Sequence, residues 1–388
     1  MEINNFVIDY QKIVDELSQF SDTIKYLLYE QDSDVFENFD FDQEYLEPSL
    51  FYHFFRSKVS HNYNNYTQYI IDKYIGSSPV SYNIDVDCFS NAFVPQKGFV
   101  ENLKTDKVTY NKGQLYLPNG DLLDIIPNKF ISNSNIRLNS VVPYILHQYH
   151  PANFEHSILE IQKDIYQYLN KAYDNLSAYS PEFSKLLNAV TKEISVFDLP
   201  KTPSFASINY FGTSFININE RKLNEVLFMD EIAHQSGHSI FTLLTRDREN
   251  YFLYPPDTSL KDFTGFNGEG RTLYGAFHSM FTLCTIINTL YAFLSKGNPQ
   301  ENMKVELYGR IGFYLDKLIY DIDTFSILKI FTSEGKQFYQ MFAANMSDYS
   351  QLENGLFLKF NYDNQGYLFS AEGFMDSNKH ILDEIYVF

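Results

Sequence analysis

Only two cysteines, Cys88 and Cys284, occur in 388 residues, which excludes a disulfide framework and points to a reducing compartment. Cys284 falls within an apolar helical run, where a buried thiol behaves as a small hydrophobe. Basic residues are scarce too: 30 Lys and Arg stand against 49 Asp and Glu, giving a formal charge of −19. A surface of that sign repels a phosphate backbone, and no local run of Lys and Arg interleaved with aromatics reverses it, so no nucleic acid partner is expected. A basic or neutral peptide is easier to attract, although the same acidity also keeps an aromatic-rich chain in solution. No apolar run approaches the roughly 20 residues of a membrane span. Glu2 and Asp9 come before any apolar block, where a signal peptide has a basic start. The expectation is a cytoplasmic protein with no membrane partner. Internal repeats and low-complexity tracts are also lacking.

What is plentiful is apolar and aromatic: 44% of residues are hydrophobic, with 36 Phe and 31 Tyr, enough for a sizeable core and against global disorder. Residues 5 to 30 carry Phe6, Tyr10, Ile13, Val14, Leu17, Phe20, Ile24 and Leu27 at helical spacing, and a second aromatic helix is expected over Leu50 to Ile75. From Gly76 to about Ser140 short apolar runs alternate with turn signals such as Asn111-Lys112-Gly113 and Pro118-Asn119-Gly120-Asp121, which predicts short strands and loops. Helical periodicity returns after Pro151, and Ser180-Pro181-Glu182 opens another helix. Alternation across Phe205 to Ile218, with Gly212 at a turn, predicts a hairpin whose edge, if exposed, could pair with an extended peptide. Three helices are predicted at roughly Leu223 to Leu244, Gly270 to Leu294 and Asn302 to Leu328, with a shorter one opened by Thr332-Ser333-Glu334. A terminal hairpin is expected for Leu356 to Phe360 against Tyr367 to Phe369. The fold class is therefore α+β and mostly helical, with a helix-borne metal site and small β-hairpins. An N-terminal helical and strand region spans 1–150, and a catalytic region spans 151–388.

The chemistry concentrates in Asp230-Glu231-Ile232-Ala233-His234-Gln235-Ser236-Gly237-His238. Two histidines four apart on a helix project from adjacent turns of one face and can clamp one metal ion. Two imidazoles rarely suffice, and the next helix offers His278 as a third ligand. Arg271 lies seven residues, nearly two turns, before His278 and so on the same face, where a guanidinium could hold a carboxylate-bearing co-substrate. Taken alone, Arg271 reads as a surface salt-bridge residue near a helix start. Gln235 stands where a zinc peptidase has the Glu that takes a proton from metal-bound water, and an amide cannot do that. Asp230 is in position to orient the His234 imidazole, or else is a solvated helical charge. The cluster His147, His150 and His156 spans Pro151 and reads as a loop, while His53, His61 and His380 belong to no visible constellation.

Over roughly Phe205 to Met346 these residues resemble the HEXXH-motif peptide-modification proteins of bacterial ribosomal-peptide natural-product clusters, some of which are iron(II)- and 2-oxoglutarate-dependent hydroxylases. The likeness rests on Phe211-Gly212, on His234 to His238, on Arg271-x-x-x-Gly275-x-x-His278, and on Phe331-Thr332-Ser333-Glu334-Gly335. Gln235 replaces the family's Glu and leaves both histidines intact. The resemblance implies that His234, His238 and His278 hold Fe(II). By the same resemblance 2-oxoglutarate chelates that metal and meets Arg271 through its distal carboxylate. Arg310, on the following helix, is a weaker candidate for contact with the co-substrate or the peptide, and such an arginine is more often structural. The implied reaction is oxidative decarboxylation to succinate with hydroxylation of a precursor-peptide side chain, at its β-carbon. A zinc metallopeptidase-like hydrolase and a non-catalytic peptide-binding relative are the alternatives that the residues leave open.

Overall fold

The computed structural model describes residues 8–31, 33, 45–57, 69–70, 81–87, 90–147 and 158–385. It is an α+β protein, mostly helical, with small sheets. The chain divides into two compact units, one of Met1–Tyr10, Lys171–Leu186 and Asn224–Phe388, the other of Gln11–Asn170 and Leu187–Leu223.

The second of these carries the strands. Helix α1 (Tyr10–Gln31) buries Ile13, Leu17, Ser21, Ile24 and Leu28, a stripe at intervals of three and four that leaves the polar positions outside. With Tyr45 and Leu50, the latter on α2 (Pro48–Ser57), Ile24 and Leu28 form one apolar cluster. Phe6 and most of the span expected to continue α2 to Ile75 lie outside the described residues, as do Cys88, His61, His150 and His156. The strands are β1 (Tyr82–Asp85), β2 (Ala92–Val94), β3 (Gly98–Val100), β4 (Lys107–Asn111), β5 (Gln114–Tyr116), β6 (Leu122–Leu123), β7 (Ile126–Pro127), β8 (Lys129–Phe130) and β9 (Arg137–Leu138). Two antiparallel sheets, β1-β4-β5-β6 and β2-β3-β7, turn where the sequence has its Gly and Asn signals.

The third sheet runs β11-β10-β9-β8, with β10 (Glu193–Phe197) parallel to both β9 and β11 (Thr213–Asn217). Every residue of β10 and β11 is buried, the pattern of a strand covered on both faces. Across its strands lies a buried charge cluster: Arg137 of β9 pairs with Glu47 at 2.9 Å and with Glu193 of β10. Thr213 of β11 donates to the same Glu193 carboxylate at 2.8 Å.

The expected Phe205–Ile218 hairpin does not form. Ile208–Tyr210 is a 3-10 turn, and β11 takes β10 as its partner in parallel. A single antiparallel bridge joins Phe205 and Phe215, with their backbones exchanging hydrogen bonds of 2.9 and 3.0 Å. That bridge occupies part of the edge a docking peptide needs, and the sheet-facing side chains are interior, so strand addition there loses its basis.

The other unit is helical. Helices α3 (Ile158–Tyr179) and α4 (Pro181–Val190) run through the unit boundaries. Then follow α5 (Glu225–Leu244), α6 (Leu273–Lys296), α7 (Glu301–Ser326), α8 (Ser333–Gln351) and α9 (Ala371–Ile385). Their starts are set by side-chain caps: Asn224 accepts from Leu227 N at 2.8 Å, Thr272 from Gly275 N at 3.0 Å and Thr332 from Gly335 N at 3.2 Å. The predicted helices match to within a few residues. The predicted terminal hairpin does not: Leu352–Leu358 is a 3-10 segment and the chain continues into α9. Helix α6 also corrects the reading that no apolar run is long enough to span a bilayer, since its 24 residues pass by length and composition. Its apolar side chains, Leu273, Phe277, Phe281 and Ile286 among them, are buried within the protein.

Candidate metal centre

Helices α5 and α6 are interior on nearly every face, as expected for sequences apolar all round, with His234, His238 and His278 half-buried on them. Their contact is close because Gly237 removes a side chain opposite Thr282 and Thr285. On that contact His234, His238 and His278 come together. The His234 and His238 rings stack with centroids 4.9 Å apart, and the His238 and His278 rings meet edge-on at 4.5 Å. Nδ1 of His238 lies 3.2 Å from Nε2 of His278.

Two nitrogens bound at about 2.1 Å to one ion, at tetrahedral or octahedral angles, lie roughly 3.0–3.4 Å apart. The His238–His278 pair has that spacing. Donor chemistry also suits a divalent transition metal: burial and the neighbouring imidazoles hold His238 well below its ordinary pKa, and burial pushes His278 down to about 4. Both rings are thus neutral at pH 7, the form that coordinates. The geometry falls short of a complete site. Among the described residues no group of three or more His, Cys, Asp or Glu side chains is arranged to hold a metal ion. Nε2 of His278 also lies 3.1 Å from the His238 carbonyl; a carbonyl only accepts, so in that bond this nitrogen carries the proton that a metal would have to displace.

The arginines around the cluster are held in ion pairs, the reading that Arg271 invites when taken alone. Arg271 donates from Nη1 and Nη2 to Asp321 at 2.9 and 2.8 Å, and from Nε and Nη2 to Glu269 at 2.9 and 2.8 Å. Both edges of its guanidinium are therefore occupied by carboxylates of the protein itself. Arg310 is buried and bonds Asp230 at 2.6 Å and Glu306 at 2.7 Å, tying α7 to α5. Asp230 accepts from Arg310 and, at 2.7 Å, from the Tyr314 hydroxyl through one oxygen; its Oδ1 has no hydrogen-bond partner. Burial raises its pKa, while the charges of Arg310 and His234 pull it back down. Gln235 is buried, its amide reaching back to Glu231 at 3.4 Å while its Oε1 finds no partner. An orphaned buried acceptor is costly, and both orphans stand on α5 within four residues of His234.

Tyr274 and Arg248 were not foreseen. Tyr274 lies one turn before His278, which the spacing alone could have flagged; its ring is 5.4 Å from the imidazole and its hydroxyl 2.8 Å from Thr245 Oγ1. Arg248 follows α5 in a 3-10 turn, where no periodicity points to it, and its guanidinium lies over the Tyr274 ring at 4.1 Å. Of the remaining histidines, His53 is buried on α2 in the other unit, its Nε2 3.1 Å from Gln31 Oε1.

Compared with known proteins, the chain matches no family model and no curated sequence. The likeness to the HEXXH-motif proteins therefore rests on the motif residues themselves.

Proposed function

We propose that the helical unit is the catalytic part of a cytoplasmic Fe(II)- and 2-oxoglutarate-dependent oxygenase, which hydroxylates the β-carbon of a side chain in a ribosomally made precursor peptide. The observation that carries this reading is the pairing of two neutral, half-buried imidazoles from different helices with nitrogens 3.2 Å apart, and a third imidazole stacked on one of them. His234, His238 and His278 are the residues that would hold the iron. Bound there with 2-oxoglutarate, iron would supply insertion of one atom of O2 into an unactivated C–H bond, with succinate and CO2 as the other products.

The protein's own part is to keep the imidazoles neutral and to keep water out. Phe241, 5.3 Å from the His278 ring, and Tyr274 cover that imidazole with apolar surface. Gln235 takes no proton, which suits an oxidative reaction and not a hydrolytic one. The test is to load the protein with Fe(II) under anaerobic conditions, add 2-oxoglutarate, air and the peptide encoded beside it, and measure peptide mass and succinate. A one-oxygen mass gain with equimolar succinate is expected. Peptide cleavage supported by zinc points to the metallopeptidase-like alternative, and peptide binding without any turnover to the non-catalytic one.

A further inference from the structure

Two cations on α7 are held in opposite ways. Arg310 bonds the carboxylates of Asp230 and Glu306, whereas no acidic group lies within ion-pair distance of Lys317 among the described residues. An ammonium has three donors, and this one gives a single hydrogen bond, to the Tyr367 carbonyl at 2.8 Å. Two rings flank it: Nζ lies 4.0 Å from the centre of the Phe313 ring and 5.2 Å from that of Tyr367. Phe313, one turn back on α7, is buried and packs against Tyr362 and Phe369, so that side of the cage is fixed. Tyr367 is 79% exposed, and the half-buried lysine is reached from solvent past its ring.

An ammonium in that setting gives up water without gaining a counter-ion, which disfavours its charged form. Burial lowers the Lys317 pKa from 10.5 to about 8, although the charges of Asp230 on α5 and of Asp321 and Asp316 on α7 pull it upward; Arg271, just before α6, pushes it down. A desolvated, partly free amine is a nucleophile. We propose that Lys317 is a site of acylation by thioesters. Nζ attacks the thioester carbonyl carbon, the C–S bond breaks, and the thiolate leaves with the proton that the amine gives up, so no oxidant or reductant is needed. The product suits the cage. An amide has no charge to desolvate and keeps one N–H for the Tyr367 carbonyl. The neutral imine that an aldehyde or keto acid would form has no N–H to offer there, so an acyl donor is the matching electrophile. Acylation also takes away a positive charge that favours the ionised form of Asp321.

The test treats the full chain with S-acetyl-N-acetylcysteamine, a small thioester, between pH 6.5 and pH 10 and follows acetylation lysine by lysine with peptide mass spectrometry. The exposed Lys261, Lys329 and Lys336 serve as references. At pH 7.5 Lys317 is expected to react about tenfold faster than they do. An amine titrating near 8 is free about a hundredfold more often than one titrating at the ordinary lysine value, and its lower basicity gives back part of that gain. The Lys317 rate is expected to level off above about pH 8.5 while the reference rates keep climbing. Tyr367→Ala, a change at an exposed side chain that keeps the backbone carbonyl, opens the cage to water and is expected to move the Lys317 midpoint upward, toward the references. A Lys317 that reacts no faster than the references overturns the assignment, and so does a midpoint that Tyr367→Ala leaves in place. A melting temperature for the variant, unchanged within about 3 °C, confirms that the comparison is made on folded protein.

Discussion

Gly237 of α5 stands so close to Thr285 of α6 that a Cβ at position 237 would lie 3.1 Å from the threonine Oγ1, itself bonded to Phe281 O at 2.7 Å. This approach lets His238 on one helix meet His278 on the other. Alanine at 237 has two opposing effects: it raises helix propensity by up to about 1 kcal/mol and strains the Thr285 contact by a similar amount. Gly237→Ala is therefore expected to be near neutral alone and stabilising by up to about 1 kcal/mol in a Thr285→Ala background, read from urea midpoints. Gly237→Leu has no such balance. It is expected to separate the helices, to cost about 1–3 kcal/mol and to weaken metal binding; unchanged cobalt affinity in that variant counts against helix approach as the determinant of the site.

The imidazole cluster makes its own prediction. Loss of even an outer hydrogen bond to a ligand costs tenfold to a hundredfold in metal affinity, so His238→Ala and His278→Ala are each expected to weaken Co(II) binding by about a hundredfold or more. Gln235→Glu removes no imidazole and is expected to retain binding. Visible absorption of the cobalt protein reads both. Equal cobalt affinity in wild type and His278→Ala removes that residue from the ligand set.

Arg271 is expected to act on stability. Its removal leaves the buried carboxylate of Asp321 and the half-buried one of Glu269 without their common counter-ion, and stranding a buried charge costs about 3 kcal/mol or more. Arg271→Ala is thus expected to lower the urea midpoint markedly, and Asp321→Asn in the same chain to recover part of the loss. Coupling between the two positions below about 0.5 kcal/mol in a double-mutant cycle would show that the pair does not hold the fold.

How far the sequence led differs by element. The helices that carry the site were legible because their apolar positions repeat at 3.6 residues and their starts carry Asn224, Thr272 and Thr332 as caps. His234, His238 and His278 were legible as neighbours because helix geometry fixes the i, i+4 pair and the next helix carries one more histidine. The partner of β11 was not. Alternation marks a strand but not the strand it joins, and the long-range parallel pairing with β10 overrode the local hairpin. The segments about Phe357 and Phe369 read as strands because apolar residues cluster there; Phe357 packs against Tyr291 and Tyr308, and Phe369 against Phe313, as core anchors of irregular backbone. The ion pairs of Arg271 and Arg310 were hidden for a similar reason: Asp321 lies 50 residues from Arg271, and Asp230 lies 80 from Arg310.

His53 gives the strand-bearing unit a pH dependence of definite sign. Burial lowers its pKa from 6.5 to about 4, so the folded protein keeps the ring neutral. Above pH 6.5 neither state holds the proton. As pH falls from 6.5 to about 4 the unfolded chain takes up a proton that the folded chain refuses, and stability drops by roughly 3 kcal/mol over that window. His53→Gln cannot take that proton and is expected to lose less stability between pH 7 and pH 4.5 than the wild type does, measured by urea unfolding at both values. Parallel curves for the two proteins would mean that His53 titrates normally.

Gly335 lies in the Phe331 to Gly335 segment that opens α8, and what holds it there is a backbone neighbour rather than a turn. A Cβ at this position would lie 2.1 Å from the Tyr251 carbonyl oxygen and 2.9 Å from the Phe331 ring. A carbonyl in the backbone cannot swing aside as a side chain can, so the turn of residues 248–251 must move. That turn is bonded to Thr332 through Tyr251 O and Asn250 O, and it carries Arg248. Gly335→Ala is expected to cost about 2 kcal/mol or more without loss of cobalt binding. Both are measured on one preparation, stability by urea midpoint and cobalt binding by visible absorption. A Gly335→Ala protein as stable as the wild type would show that the Tyr251 turn yields freely and does not fix the arginine it presents.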